Sequence, residues 1–162
     1  MTHEEHTVDR RGFIIAGSGF IALPAWPHHG WSSFDQSRPL YLEGKARKVA
    51  WRNPHAEFEL ELPAELKLPA DLAQRALPAQ TASVDGPKLL AQAQLPKRKD
   101  KVWEIELAPL TRMQAWQVAE IKPGTDVAVL GFTFNEEKGE PVLRAEYLWV
   151  AGKAYALRSS PA

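Results

Sequence analysis

The chain has 162 residues, 20 basic and 20 acidic, with 44% hydrophobic residues, six tryptophans and no cysteine. That length suits one domain plus a targeting segment, and the composition is that of a folded globular protein. A neutral chain offers no clustered positive field for nucleic acid, and the lack of thiols excludes disulfides and thiolate metal sites.

The first element is an address. Asp9-Arg10-Arg11-Gly12-Phe13-Ile14 resembles a twin-arginine export signal. The apolar run 13–23 is shorter than the ~20 residues that span a bilayer, and Gly17, Ser18 and Gly19 dilute it. Pro24-Ala25 supplies a small-residue end, with Leu23 an imperfect residue at the −3 position. The expected organisation is a signal peptide over 1–25, an N-terminal segment over 26–39, and a β-barrel domain over 40–162 with an insertion at 63–100. The mature product is expected in the periplasm or outside the cell, with no transmembrane segment.

A strand is predicted over 40–51. Leu40, Leu42 and Ala46 share one parity and Val49 and Trp51 the other, so a bulge is expected, with Gly44 permitting a bend. Asn53-Pro54 marks a turn. Residues 56–62 alternate strictly, with Phe58, Leu60 and Leu62 against Glu57, Glu59 and Glu61, the pattern of a half-buried strand.

Residues 63–100 are rich in Pro, Ala, Leu and Gln. Pro69 opens an expected helix over 70–77, Asp85-Gly86-Pro87 reads as a turn, and Lys97-Arg98-Lys99-Asp100 as a solvated loop. A strand resumes over 102–107, followed by a short helix over 111–119 and the turn Lys122-Pro123-Gly124-Thr125. Residues 126–134 are apolar at both parities, as in a strand buried on both sides. A polar loop over 135–140 leads into a strand over 141–150, with Leu143, Ala145, Tyr147 and Trp149 expected on one face. Ala151-Gly152 turns the chain into a last strand over 153–157. Three strands, a short helix and two or three further strands predict a five- to six-stranded OB-like Greek-key barrel, with a β-sandwich as the alternative.

The ordered motifs His28-His29-Gly30-Trp31-Ser32, Leu42-Glu43-Gly44 and Trp51-Arg52-Asn53-Pro54-His55 are similar to an uncharacterised bacterial family of small exported proteins. Trp103, Leu107-Ala108-Pro109, Arg112-Met113, Val129-Leu130-Gly131-Phe132 and Arg144-Ala145-Glu146 continue the likeness. It spans roughly 28–157 apart from the stretch 63–100. The resemblance implies a secreted barrel-like domain and brings no activity with it.

Of five histidines, His3 and His6 precede the apolar run, leaving His28, His29 and His55 in the mature chain. Neutral imidazoles without thiolates favour Cu(II), with zinc as the alternative, so these three are the candidate metal ligands. Cleavage after Ala25 would place His28 third. Pro27 then lacks the backbone N–H that an amino-terminal copper site deprotonates, which argues against that geometry. Asp35 and Glu57 are candidate supporting carboxylates. Trp31, Trp51, Asn53, Arg112 and Met113 are candidate ligand-binding residues: the tryptophans as an aromatic surface, Arg112 for an anion, Met113 as a soft copper ligand. A core or capping role is the competing reading for each. The nucleophile-elbow, phosphate-loop and cysteine-nucleophile motifs are all missing, so a non-enzymatic role is favoured. The leading reading is an exported metal carrier or accessory protein. The alternative is a module binding a small molecule or protein through exposed aromatics.

Overall fold

The computed structural model describes residues 30–162. Six strands form one sheet: β1 (Leu40–Ala50), β2 (Glu57–Glu61), β3 (Val102–Glu106), β4 (Asp126–Phe132), β5 (Val142–Val150) and β6 (Lys153–Ala156). β1 lies antiparallel between β2 and β4, β2 pairs with β3, and β4 pairs with β5. A parallel seam from Glu104 opposite Val142 to Glu106 opposite Arg144 joins β3 to β5 and closes the barrel. β6 adds to the outside of β5. With the short helix α2 (Leu110–Ala115) between β3 and β4, this is the expected OB-like barrel. The closing seam rules out the sandwich.

The alternation of β2 works as read: Phe58 and Leu60 are buried, while the intervening glutamates stay on the wetter face. β1 carries the expected bulge, its register shifting between Arg47 and Ala50, with Lys48 at φ 40°. Leu40, Leu42 and Ala46 enter the barrel core, and beyond the bulge Val49 and Trp51 pack against the same core. Gly44 is required by proximity, since a Cβ there would lie 2.0 Å from the Glu61 carbonyl oxygen.

β5 departs from its expected single face. Tyr147 pairs with Leu130 and Ala145 with Gly131, so Glu146 is an extra residue in the ladder. That bulge keeps Leu143, Ala145 and Leu148 in the barrel core and turns Tyr147 to a second cluster on the outer wall, where Trp149 packs beside it.

The segment 63–100 builds that second cluster. Leu72 and Leu90 are buried against Tyr41, Leu130, Tyr147 and Ala156. The expected helix over 70–77 is only a 3-10 turn, Leu72–Gln74, after which Arg75 is extended at ψ 130°. Pro78 disfavours helical backbone at Leu77, so the stretch is too short to propagate. Asp85-Gly86-Pro87 proves to be a helix start rather than a loop turn. The Asp85 carboxylate accepts the Lys88 N–H and caps α1 (Gly86–Ala91), with Pro in the first turn. α2 stops earlier than 119, because Gln117 takes φ 54° and Val118 N–H bonds back to the Met113 carbonyl. Glu137 clasps the end of the 63–100 segment to the β4–β5 loop, accepting the Lys97 and Arg98 N–H groups and the Arg38 guanidinium. Among the described residues, no helix is long and apolar enough to cross a membrane.

Candidate functional site

Residues 30–39 run along the outer wall of the barrel, at the end of β4 and the start of β5. A 3-10 turn, Trp31–Ser33, lies at the start of this described stretch. Asp35 N–H donates to the Thr133 carbonyl, and the Asp35 carboxylate accepts both the N–H and the hydroxyl of Ser37. Asp35 therefore shapes this turn. Phe34 stacks on Phe134 at 5.1 Å between ring centres, and Trp31 meets Phe132 edge-on at 6.3 Å.

Beneath Trp31 the wall carries charge. The Arg158 guanidinium carbon lies 3.7 Å from the Trp31 ring centre and that of Arg144 lies 5.3 Å away. Each arginine is fixed by its own carboxylate. Arg144 Nη1 donates to Glu106 Oε2 at 3.1 Å, across the parallel seam where the two residues are opposite. Arg158 donates through Nε and Nη2 to Glu146 Oε2, at 2.7 and 2.6 Å. Glu146 is fully buried, and its other oxygen accepts from Gln80. The β5 bulge is what places Glu146 here. Burial works against the Arg144 charge, Glu106 counters it, and the nearby Arg112 and Arg158 charges add to the cost. Three guanidiniums and two carboxylates thus share this wall, with an indole laid over two of the guanidiniums.

Next to the seam runs a groove of about 470 Å³, lined by Glu57, Glu59, Glu104 and Glu140 together with Lys48 and Arg52, Lys48 being paired to Glu59. Burial, followed by the neighbouring Glu57, Glu106, Glu59 and Glu140 charges, pushes the Glu104 carboxyl up to about 7.

Of the residues singled out from the sequence, His28 and His29 lie outside the described residues. His55 is half-buried just ahead of β2. Its neighbour Ala56 donates to the Ala108 carbonyl and accepts from Leu107 N–H, so this corner is tied to the end of β3. Glu57 pairs opposite Glu106 on the same side of the barrel. Asn53 is exposed, and Trp51 is half-buried against the barrel core. Met113 is buried inside that core, where it packs rather than faces solvent. Arg112 donates Nη1 to the Leu157 carbonyl and so ties α2 to the strand end after β6. The structure brings Trp31 and Arg112 to the Arg144 neighbourhood and leaves Trp51 and Met113 in packing roles. Among the described residues no three histidine, aspartate or glutamate side chains group to hold a metal ion.

Glu106, Glu146 and Arg158 were not among the candidates from the sequence. Their signal is faint. Arg144 and Glu146 interrupt an otherwise apolar strand, which a wet outer face would explain equally well.

Residues 18–67 match the model of a family of unknown function, DUF6152. The matched stretch contains His28-His29-Gly30-Trp31 and Trp51-Arg52-Asn53-Pro54-His55. Nothing among the curated proteins or the solved structures matches the chain.

Proposed function

We propose that the chain is an exported, periplasmic β-barrel protein that binds a transition metal, with copper favoured and zinc as the alternative. His28, His29 and His55 are the ligands, and the role is that of a carrier or accessory protein. Export rests on the twin-arginine pattern. Copper rests on a histidine set without thiolates.

One observation carries the reading: Trp31 is seated on the Arg144–Glu106 seam. Arg144 is opposite Glu106, Glu106 is opposite Glu57, and His55 lies two residues before Glu57. Two strand spacings and two residues along the strand separate Arg144 from His55 by on the order of 12 Å. His29 precedes Trp31 by two residues and His28 by three, at about 3.4 Å of chain each. With the length of the imidazole side chains added, that span is within reach. The groove beside the seam carries four glutamates against Lys48 and Arg52, so carboxylate oxygens are at hand for an approaching cation.

The aromatic-surface alternative has less support. Leu68 is the exposed large hydrophobic residue among those described, and Trp31 and Trp51 are both engaged in packing. Titrating the chain with Cu(II) and Zn(II) tests the proposal. Affinity well above that of the His28→Ala/His29→Ala/His55→Ala variant supports it, and equal affinity overturns it.

A further inference from the structure

We infer that the groove over Ala128, between the Trp149 indole and the Glu43 carboxylate, binds a small organic cation with an apolar body, of the alkylammonium class. The site shares no residue with the metal reading above and stands independently of it.

The sheet itself builds the groove. Glu43 of β1 is opposite Ala128 of β4, and Ala128 is opposite Trp149 of β5. Their chain neighbours Leu42, Val129 and Leu148 enter the barrel core, so Glu43, Ala128 and Trp149 share the outer face. Two strand spacings put about 10 Å between the backbones of Glu43 and Trp149, with only a methyl side chain midway. The result is an open groove of about 900 Å³, lined also by Leu62, Pro63 and Val150. A largely apolar lining with a few polar groups is the usual make-up of a small-molecule site.

Charge selects the ligand. Of the other carboxylates on the groove, Asp126 is paired to Lys45 at 2.8 Å and Glu61 to Arg47 at 3.4 Å. Glu43 is half-buried and has no such cation among the described residues; its Oε2 accepts the Tyr41 hydroxyl. A neutral or anionic ligand would strip further water from this carboxylate and return nothing, whereas a cation compensates it.

The indole supplies the second contact. Ring centres of Tyr147 and Tyr41 lie 6.2 and 6.5 Å from Trp149, and the Arg75 guanidinium carbon lies 5.5 Å away. Arg75 is itself paired to Asp71. The ring is therefore fixed before a ligand arrives, which spares the entropy of ordering it. An aromatic ring beside a carboxylate attracts an alkylated ammonium through both cation–π and Coulomb terms. A hard metal ion is poorly served here, since it takes roughly six or more oxygens.

Choline and its neutral isostere 3,3-dimethylbutan-1-ol test the site on the full chain, read by calorimetry and tryptophan fluorescence. Choline is expected to bind saturably, and the uncharged alcohol about tenfold more weakly or worse. Glu43→Gln keeps the volume and an acceptor for Tyr41, and is expected to weaken choline by about tenfold or more. Ala128→Leu fills the groove from a half-buried position and is expected to abolish choline binding. Circular dichroism checks that both variants are folded, and if Glu43→Gln is not, Ala128→Leu and the isostere decide. The inference is overturned if choline gives no saturable signal, or if the alcohol binds as tightly. Native choline affinity in either folded variant overturns it equally.

Discussion

Arg158 stacks on Trp31 with its guanidinium carbon 3.7 Å from the ring centre, while two of its nitrogens hold the fully buried Glu146. One side chain therefore joins the N-terminal segment, the β5 bulge and the chain end after β6. A cation over an indole contributes roughly 0.5–2 kcal/mol depending on how dry the contact is.

Removing the ring should be felt accordingly. Trp31→Ala is expected to cost about 2 kcal/mol in urea unfolding, with Trp31→Phe losing about half as much because the edge contact with Phe132 is partly kept. A Trp31→Ala chain as stable as the native one would show that the segment is not held.

The Arg144–Glu106 pair should behave as a buried pair. Glu106→Gln leaves a guanidinium uncompensated under Trp31 and is expected to cost about 3 kcal/mol. Arg144→Met combined with Glu106→Leu should come close to native stability. Equal losses in the single and double variants would contradict this.

Glu104 sets a pH dependence whose sign is fixed. Its folded pKa, about 7, lies above the ordinary 4.5, so between those values the folded chain binds more protons than the unfolded one. Its contribution is most favourable below about 4.5 and is lost as pH rises through about 7. The urea midpoint should therefore fall from pH 5 to pH 8, and Glu104→Gln should flatten that fall. An unchanged slope in Glu104→Gln would refute it.

Much of the fold was legible where the pattern had one solution. The Glu/apolar alternation of β2 admits a single inward face, and the parity change along β1 announced its bulge. β5 defeated the same logic because its apolar residues lie at both parities. A single face through Leu143, Ala145, Tyr147 and Trp149 satisfied the pattern as well as the true bulge at Glu146 did. The apolar stripe over 70–77 yields only the 3-10 turn Leu72–Gln74, because such a stripe says nothing of the proline that stops propagation.

The site was legible only in part. Trp31 stood out beside its histidines, but the ion pairs under it are non-local: Arg144 lies 38 residues from Glu106. A charged residue in a strand reads as solvent-facing unless its partner is known. Asp35 was singled out for its charge, whereas its carboxylate is consumed by the Ser37 turn.

Gly44 offers a check on the barrel itself. Gly44→Ala would drive a methyl into the Glu61 backbone oxygen, where only backbone movement can relieve it. A loss on the order of 3 kcal/mol, or failure to fold, is expected. Native stability would contradict the close crossing of β1 and β2.

The most direct measurement is pulsed electron paramagnetic resonance of the chain loaded with one equivalent of Cu(II), beside the same measurement on His55→Ala. Imidazole nitrogens from both the N-terminal histidines and His55 are expected, with one nitrogen lost in the variant. Identical spectra from the two chains would contradict a site shared between the N-terminal segment and the barrel.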